Sequence, residues 1–334
     1  MSFANKKVLV TGGAGFIGSH LVDVLLAANY DVKVLDNLSN GKIDNIKQHF
    51  GDENFEFMLG NITQREDIEE AMSGVSVVYH LATLGVRHSL KHPYDNHKVN
   101  AEGTLLLLQT ARAVGVERFI YCSSSEVYGT ARTVPMDEHH SLYPRTVYGA
   151  SKLAGECYTR AYATSFAMNT VVVRPFNTFG PRSHHEGDAG ELIPKSIVRA
   201  LNSESILIFG LGSITRDFTY VEDTARALAA VMLDAKEDAG ETYNVGSHFE
   251  LSIREVADTI LKMMVNSGSK IVHCEDRPGD VERLYADASK FIRCYDWQPE
   301  YSFEQGLLKT IDWFKSQPQG RQALLKEEKG VNWQ

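Results

Sequence analysis

Residues 7–18 read Lys7-Val8-Leu9-Val10-Thr11-Gly12-Gly13-Ala14-Gly15-Phe16-Ile17-Gly18, an apolar run that passes directly into a glycine-rich turn. The apolar run predicts a buried strand, and residues 15–28 predict a helix that begins within the glycine-rich turn. Glycines at positions 12, 15 and 18 permit a tight turn, let the backbone approach a pyrophosphate, and direct the helix amino terminus at its negative charge. We therefore interpret this stretch as a strand–turn–helix unit that binds a dinucleotide.

The same strand–helix alternation continues through the first half of the chain. Apolar, β-branched runs predict strands at 31–35, 55–58, 75–80, 118–122 and 170–173, with helices predicted at 63–72, 94–113 and 147–166. Runs that are apolar on nearly every residue are typical of a parallel sheet covered on both faces. The predicted fold class is α/β: a Rossmann-type doubly wound parallel sheet with a smaller mixed α/β substrate lobe.

After Arg174-Pro175 the alternation breaks down into loops rich in Gly, Pro and His, with a helix predicted at 219–233, a strand at 242–245, and further helices at 253–264 and 303–315. We predict a cofactor-binding domain of residues 1–175 with returning segments at about 215–246. A second lobe is predicted for 176–214 and 247–320. The polar residues 321–334 are predicted to be a loosely held tail.

Composition excludes several classes of protein. The 334 residues carry 34 basic and 43 acidic side chains, a net charge of −9, which disfavours binding to nucleic acid. The four cysteines form no Cys-x-x-Cys pair, and no apolar run approaches the ~20 residues that span a bilayer. The sequence His184-His185-Glu186 is interpreted as a substrate-lobe loop, so no metal is predicted. We expect a cytoplasmic protein without nucleic-acid or membrane partners.

Two polar residues follow predicted strands where a dinucleotide would lie. Asp36 ends the second strand, and its carboxylate can accept hydrogen bonds from both ribose hydroxyls, whereas a 2′-phosphate there would meet a like charge. NAD is therefore favoured over NADP. Asn61 follows the third strand, where its amide could contact the adenine edge or could serve only as a turn residue.

The candidate catalytic residues lie at the end of the fifth strand and on the helix after it. Tyr148 and Lys152 are four residues apart, so they are adjacent on one helix face. An ordinary tyrosine pKa of ~10 is too high for a base at neutral pH, and lowering it three units takes ~4 kcal/mol. One positive charge ~4 Å away supplies about that much, so Lys152 is predicted to lower the Tyr148 pKa. Ser124 could donate a hydrogen bond to a sugar oxygen, and Glu126 could act as a second acid or base.

Together these residues resemble the extended short-chain dehydrogenase/reductase family, specifically its NAD-dependent nucleotide-sugar epimerases and dehydratases. The resemblance extends from Val8 to about Gly306 and includes the segments Tyr79-His80-Leu81-Ala82 and Arg174-Pro175-Phe176-Asn177. It implies that NAD contacts Gly12, Gly15, Phe16, Ile17, Gly18, Asp36, Asn37, Asn61, Ile62, Leu81, Ala82, Tyr148 and Lys152. It implies that a nucleotide-diphosphate sugar contacts Val86, Arg87, Ser125, Asn177, Arg182, Arg216, Arg277 and Asp280.

The subfamily is indicated by two short segments. The run Leu84-Gly85-Val86-Arg87-His88-Ser89-Leu90 is similar to a loop of UDP-sugar 4-epimerases. dTDP-glucose 4,6-dehydratases have Asp-Glu where this chain has Ser125-Glu126, but Ser-Glu also resembles UDP-glucuronate decarboxylases and GDP-mannose dehydratases. Asn61, where relatives often have Asp, is a further departure.

We predict from the resemblance an NAD-dependent 4-epimerase of UDP-glucose or another UDP-hexose. Ser124, Tyr148 and Lys152 would support oxidation at C4 to a 4-keto sugar, and hydride would return to the opposite face. The alternative is a nucleotide-sugar 4,6-dehydratase or UDP-glucuronate decarboxylase that uses Glu126, and a second alternative is a non-catalytic NAD-binding regulatory module. The helices at 94–113 and 147–166 resemble those of a four-helix interface in relatives, so a homodimer is predicted.

Overall fold

The computed structural model describes residues 6–233, 238–277 and 279–333. Its strands are β1 (Lys7–Thr11), β2 (Asp31–Asp36), β3 (Phe55–Leu59), β4 (Val77–His80), β5 (Arg118–Cys122), β6 (Thr170–Pro175), β7 (Thr178–Phe179), β8 (Ile206–Phe209), β9 (Thr215–Asp217), β10 (Thr219–Tyr220), β11 (Thr242–Val245), β12 (Glu250–Ser252), β13 (Ile271–Cys274) and β14 (Arg283–Leu284). Its helices are α1 (Phe16–Ala27), α2 (Arg65–Ala71), α3 (Val86–Lys91), α4 (Pro93–His97), α5 (Gly103–Val114), α6 (Val147–Phe166), α7 (Leu192–Leu201), α8 (Val221–Leu233), α9 (Ile253–Met263), α10 (Ser289–Tyr295), α11 (Phe303–Lys315) and α12 (Arg321–Glu327). Within these described ranges, no helix has the length and apolar character needed to cross a bilayer.

The main sheet has seven parallel strands in the order β11-β6-β5-β4-β1-β2-β3. The chain runs outward from β1 to β3 on one side and from β4 to β6 on the other, so the strand order reverses between β1 and β4. Ligands of open α/β sheets bind outside the carboxyl ends of the strands at such a reversal. The Rossmann-type fold class predicted from the sequence is confirmed.

The central strands are mostly apolar because both faces of the sheet are covered. Val8 and Val10 of β1 belong to one apolar core, and Leu9 between them belongs to the core on the opposite face; all three have no exposed surface. Successive strand residues point to opposite faces, so a strand buried on both sides is apolar at most of its positions. This explains why the apolar runs identified these strands.

The second lobe has its own apolar core between α7, α9 and α11, where Ile197, Val256 and Phe314 are buried. Two elements late in the chain return to the main sheet. β11 pairs with β6, and Leu228 of α8 lies in the same core as Val8. The domain limits stay a prediction, and residues 234–237 of the returning segment lie outside the described residues.

The prediction of a loosely held tail at 321–334 is wrong for the described part, 321–333. Residues 321–327 form α12, whose Leu324 is 1% exposed in the second-lobe core, and Asn332 is also 1% exposed. One apolar side chain per helical turn was enough to dock this polar segment, because the lobe offers a complementary apolar face.

The helix predicted at 94–113 is present as α4, a π-helical turn and α5, which follow one another without a break. The segment before it, at 86–91, forms α3. Pro93 opens α4, and a wider turn over Lys98–Glu102 joins it to α5. The buried side chain of Asn100 lies in that turn, where its Oδ1 accepts from the Leu84 backbone N at 2.9 Å and its Nδ2 donates to the Leu84 carbonyl at 2.9 Å. These two bonds fix the segment that leads into Val86 and Arg87.

His80, at the end of β4, is expected to make stability depend on pH. Its ring lies between the hydroxyls of Thr11 (2.8 Å) and Thr104 (2.9 Å), and burial, reinforced by the Lys152 charge, holds its pKa well below the usual value. The unfolded chain therefore takes up a proton near pH 6.5 that the folded chain does not, and stability is lost as pH falls below that value. The difference in unfolding free energy between wild type and His80→Gln should shrink by about 1.4 kcal/mol per pH unit below 6.5. Denaturant titrations between pH 5 and 7 measure it, and a constant difference would contradict the assignment.

Candidate active site

A cavity of about 700 Å³ lies at the carboxyl ends of the sheet strands and extends under the second lobe. Its lining contains every residue predicted for catalysis or for the cofactor, and every predicted substrate residue except Arg182. The predicted residues it brings together are Gly12, Gly15, Phe16, Ile17, Gly18, Asp36, Asn37, Asn61, Ile62, Leu81, Ala82, Val86, Arg87, Ser124, Ser125, Glu126, Tyr148, Lys152, Asn177, Arg216, Arg277 and Asp280. Their individual roles stay predictions.

The glycine turn has the shape that a pyrophosphate requires. Gly12 has φ of +72°, and a Cβ there would lie 2.7 Å from the Ala82 backbone; a Cβ on Gly18 would lie 2.2 Å from the Gly12 carbonyl oxygen. Larger residues are therefore excluded by the backbone itself. Gly15 caps α1 without a side-chain hydrogen bond, so the helix amino terminus is open to the cavity. This arrangement fits a bound dinucleotide phosphate.

Asp36 fits the ribose contact predicted for it. Its Oδ2 accepts from the Ala14 backbone N at 3.0 Å, and its Oδ1 accepts from the Leu38 backbone N at 2.8 Å. Burial raises the pKa of this carboxyl, and the two N–H donors oppose the rise. Each carboxylate oxygen can accept a second hydrogen bond, so both remain able to bind a ribose hydroxyl.

Asn61 is mainly a turn residue. Its Oδ1 accepts from the backbone N of Thr63 at 3.0 Å and from the Thr63 hydroxyl at 3.1 Å. Because this oxygen is already engaged, the side-chain NH2 is the group left for an adenine contact. The structure thus favours the turn interpretation without removing Asn61 from the cavity wall.

Replacing Asp36 by Asn is expected to weaken NAD binding and to reduce discrimination against NADP. A hydrogen bond to a charged group is worth about 1.5–3 kcal/mol, so the NAD dissociation constant should rise about 10- to 100-fold. Isothermal titration with NAD and NADP measures both effects. Asp31→Asn, which removes an exposed charge at the opposite end of β2, is the matched control. An unchanged NAD/NADP ratio in Asp36→Asn would contradict the ribose contact.

The start of α6 brings Tyr148 and Lys152 to the end of β5. Thr146 caps the helix through its Oγ1, which accepts from the Gly149 N at 3.1 Å. The Lys152 Nζ donates to the Cys122 carbonyl oxygen at 2.7 Å, and burial lowers the pKa of this lysine to about 8. The ammonium is therefore anchored to the sheet edge through backbone.

The prediction that Lys152 lowers the Tyr148 pKa is wrong for this geometry. Burial raises the pKa of Tyr148 above its ordinary value, and a hydrogen bond with the Ser124 side chain opposes the rise without cancelling it. The sequence argument counted the lysine charge and omitted the loss of hydration, which is the larger effect here. The chain's own groups thus keep Tyr148 a neutral phenol at neutral pH, hydrogen-bonded to Ser124.

Glu126 faces a cluster of three arginines. Burial raises the pKa of Glu126, and the charges of Arg216, Arg277 and Arg87 oppose the rise. Arg277 donates from Nε to Asp280 Oδ1 at 2.8 Å, and Arg216 donates to the Thr215 carbonyl at 2.8 Å. Among the described residues, neither Arg87 nor Arg216 forms an ion pair with a carboxylate, so both guanidinium groups are available to a diphosphate.

Arg182 was predicted to bind substrate, and the structure corrects this. Its Nη1 lies 2.7 Å from Asp23 Oδ2 on α1, outside the cavity lining. Asn177, five residues earlier, does line the cavity, and its Oδ1 is buried without a hydrogen-bond partner in the described chain. The substrate contact predicted for this segment is thus available from Asn177 only.

Glu191, Phe209 and Asn332 are among the cavity residues that the sequence analysis missed. Glu191 precedes α7, and its carboxylate acts on the pKa of both Arg87 and Tyr148. Phe209 of β8 faces the cavity because Ile206 and Ile208 face the core, and an all-apolar run does not show which face is buried. Asn332 lies in the segment predicted as a tail. For these three residues, the signal that the sequence offered was the carboxylate of Glu191 directly before an amphipathic helix.

Comparisons with known proteins agree with this site. The family described as GDP-mannose 4,6 dehydratase matches residues 9–310. A putative UDP-glucose 4-epimerase of Methanocaldococcus jannaschii is 36% identical over 313 residues, covering 92% of this chain and 98% of that protein. UDP-glucuronic acid decarboxylase 1 of Xenopus tropicalis is 34% identical over 318 residues, covering 93% and 73%. The structure of UDP-glucose 4-epimerase from Thermus thermophilus in complex with NAD has a TM-score of 0.85 at 32% identity, covering 93% of this chain and 99% of that one.

The parallel sheet, the glycine turn and the similarity to NAD-bound structures define an NAD-binding protein of the extended short-chain dehydrogenase/reductase class. Within that class, the chain belongs to the GDP-mannose 4,6 dehydratase family. Members of the family are enzymes that include epimerases, dehydratases and decarboxylases of nucleotide sugars. The resemblance and the NAD cofactor predicted from the sequence are confirmed.

Proposed function

We propose that this protein is an NAD-dependent nucleotide-sugar 4-epimerase acting on UDP-glucose or another UDP-hexose. The observation that carries the proposal is the hydrogen-bonded pair of Tyr148 and Ser124 on the cavity wall, beside the anchored Lys152. A phenol that ionises when NAD is bound can exchange a proton reversibly with one sugar oxygen, and a neighbouring hydroxyl can hydrogen-bond to that oxygen. The similarity to the putative 4-epimerase of Methanocaldococcus jannaschii supports the same activity.

Each side chain has a defined task in this reaction. NAD, when bound, supplies the hydride acceptor and donor at C4 and adds a positive charge beside the phenol. Bound NAD would favour ionisation of the phenol, whose proton would pass to solvent. The Tyr148 phenolate would then take the proton from the C4 hydroxyl and later return it to the same oxygen, so Tyr148 is a phenolate before and after each turnover. Ser124 donates a hydrogen bond to that oxygen in its carbonyl form. Arg87 and Arg216 hold the diphosphate, which leaves the sugar free to turn about its bond to phosphate.

A second candidate function, a 4,6-dehydratase or UDP-glucuronate decarboxylase, is favoured by Glu126. Because burial raises the pKa of this carboxyl, it holds a proton more readily than an exposed glutamate and is suited to general acid chemistry. Ser125, where a dTDP-glucose dehydratase has an acid, argues against a dehydratase of that type, whereas Ser125-Glu126 also resembles UDP-glucuronate decarboxylases and GDP-mannose dehydratases. A non-catalytic NAD-binding module is the third candidate, and the Tyr148–Ser124 pair with Lys152 in place argues against it.

The decisive experiment follows product mass. The purified protein is incubated with UDP-, dTDP-, GDP- and CDP-sugars without added reductant, and products are analysed by NMR and mass spectrometry. A 4-epimer of unchanged mass is the expected result. Loss of water would assign a dehydratase, loss of carbon dioxide a decarboxylase, and no turnover of any sugar would favour the NAD-binding module.

Glu126→Gln separates the two catalytic candidates. If the protein is an epimerase, the variant should keep 4-epimerase turnover within about fivefold, because Glu126 then only balances the arginine charges. Loss of a general acid or base costs about 10²- to 10⁴-fold, so a loss of that size would assign Glu126 a direct role. Glu191→Gln, which neutralises the other carboxylate that acts on Tyr148, is the control for a change in charge alone.

We further propose that the protein forms a homodimer through α5 and α6. Leu105 on α5 and Val147 and Phe166 on α6 are apolar side chains left exposed on these two helices. Burial of exposed apolar side chains is the usual driving force for such a contact. Analytical ultracentrifugation of wild type and of Leu105→Glu tests it, with a dimer expected for wild type and a monomer for the variant.

A further inference from the structure

The segment Glu328–Trp333, here called the strap, crosses the outer wall of the cavity. Glu328 forms ion pairs with two side chains of α7, Lys195 at 3.3 Å and Arg199 at 2.8 Å. The Lys195 Nζ also donates to the Gly330 carbonyl oxygen at 3.0 Å. The strap is thus attached along α7, the helix that starts immediately after Glu191.

Asn332 connects the strap to the turn before α7. Its side chain is 1% exposed and lines the cavity, and its Nδ2 donates to the Gly190 carbonyl oxygen at 2.9 Å and to that of Asp188 at 3.4 Å. Lys329 and Lys91 each form an ion pair with the Asp188 carboxylate at 3.1 Å. Asn332 therefore holds the turn that places Glu191 on the cavity wall.

Trp333 lies outside the cavity and contacts two residues that line it. Its ring packs edge-on against Phe209, with centroids 4.5 Å apart and an interplanar angle of 82°. The Arg277 guanidinium carbon lies 5.8 Å from the centre of the same ring, within the range of a cation–π contact. Trp333 thus packs against both an aromatic ring and a candidate phosphate-binding cation of the cavity wall.

The cavity end next to the strap has the chemistry of a nucleoside diphosphate subsite. Leu207, Phe209, Ile214 and Ile253 give it an apolar wall, and Arg216 and Arg277 lie beside them. An apolar aromatic surface suits a nucleobase, and neighbouring guanidinium groups suit the diphosphate attached to it. The dinucleotide loop of Gly12 to Gly18 contributes no residue to the strap's contacts.

We propose that the strap sets the affinity for the nucleoside diphosphate part of the substrate, with Trp333 and Asn332 as positioning residues. This inference rests on the proposed nucleotide-sugar function. Trp333 acts through the orientation of Phe209 and Arg277, and Asn332 acts through the turn before Glu191. Trp333 touches none of the residues that exchange the proton, so it affects substrate binding and leaves the chemical step unchanged.

The test is nucleoside diphosphate binding by isothermal titration, with NAD titrated separately. UDP, dTDP, GDP and CDP are the probes, and the tightest binder to wild type is used throughout. Loss of an aromatic pair and a cation–π contact predicts about tenfold weaker binding for Trp333→Ala. Trp333→Phe should bind within about threefold of wild type.

The nucleotide affinity of Asn332→Ala should lie between those of Trp333→Ala and Trp333→Phe. A chain ending at residue 327 should bind the nucleotide more weakly than Trp333→Ala. NAD affinity should stay within about twofold throughout, because the strap lies outside the NAD loop.

Trp313→Ala is the matched control, because Trp313 is a partly buried tryptophan of the same lobe that packs on Phe314 and does not line the cavity. Melting temperatures then separate general destabilisation from the local effect. With a turned-over sugar, Trp333→Ala should raise KM and leave kcat unchanged.

Three results would overturn the strap proposal: unchanged nucleotide affinity in Trp333→Ala, equal losses of nucleotide and NAD affinity, or no nucleoside diphosphate binding by wild type. A dehydratase or decarboxylase product would overturn the epimerase proposal alone.

Discussion

Tyr148→Phe is expected to lower kcat for the nucleotide sugar by about 10²- to 10⁴-fold, the usual contribution of a positioned general acid or base. The phenyl ring keeps the packing of Tyr148 at the start of α6 but has no proton to exchange with the sugar oxygen. Affinity for the nucleoside diphosphate should be unchanged, because that part of the cavity is formed by other residues.

Steady-state kinetics and titration with UDP measure the two quantities for the Tyr148→Phe variant. Tyr162→Phe is the matched control: it removes a hydroxyl from the same helix, at a ring that packs on Phe166 away from the cavity. Full turnover by Tyr148→Phe would contradict the role given to Tyr148 in both catalytic proposals.

Arg174→Met is expected to destabilise the protein by about 3–5 kcal/mol, because it leaves a buried carboxylate without its principal partner. Glu156 is completely buried, and Arg174 donates to its two oxygens from Nε at 2.8 Å and from Nη2 at 2.6 Å. Ser123 donates to the same carboxylate at 2.5 Å. Equilibrium unfolding in urea, followed by circular dichroism, measures the loss.

Arg160→Ala provides the matched comparison, because Arg160 pairs with the same Glu156 at 2.9 Å but has a side chain that is 33% exposed. A solvent-accessible ion pair of this kind contributes at most about 1 kcal/mol. Equal losses in the two variants would contradict the importance of burial.

The pH dependence supplies a second readout for the Arg174 substitution. Hydrogen bonds and charge from Arg174 hold the Glu156 pKa below its usual value, against the opposing effect of burial. A carboxyl with a depressed pKa stabilises the folded chain above its unfolded pKa of about 4.3, and this stabilisation is lost as pH falls through the folded pKa. In Arg174→Met burial should raise the Glu156 pKa, so the variant's deficit should shrink on acidification.

The Arg174–Glu156 pair also supports the candidate active site. Glu156 lies one helical turn beyond Lys152 on α6, and Ser123, which it holds, directly precedes Ser124. The network therefore fixes the end of β5 relative to α6, the two elements that carry the proton-exchanging side chains. Neither Glu156 nor Arg174 lines the cavity.

Much of the fold was accessible from local pattern. Strands buried on both faces are apolar at most positions, and a turn that approaches a phosphate has to be glycine, so both left a clear pattern. α6 was predicted at its observed limits, 147–166, and every predicted cofactor residue lies on the cavity wall. The second lobe was less accessible, because its short strands β7 to β10 and β12 to β14 pair with partners far along the chain.

The predictions that failed depended on partners that spacing does not show. Arg182 was assigned to substrate from its motif, but Asp23 on α1 is close enough to pair with it. The segment after residue 320 was judged by its polarity, yet its few apolar and amide groups find complementary positions in the second lobe. The Tyr148 pKa was judged from one neighbouring charge, and burial proved to be the larger influence.

The sequence by itself determined the parallel sheet, the glycine turn, the carboxylate at the end of β2, and the Tyr148–Lys152 pair on one helix face, because each depends on residues close together in the chain. Only the tertiary structure decided which arginines face the cavity, that burial raises the pKa of Tyr148 and lowers that of Lys152, and that Asn332 of the strap lies on the cavity wall. Desolvation and long-range pairing depend on the whole surrounding volume of atoms, which no short stretch of sequence contains.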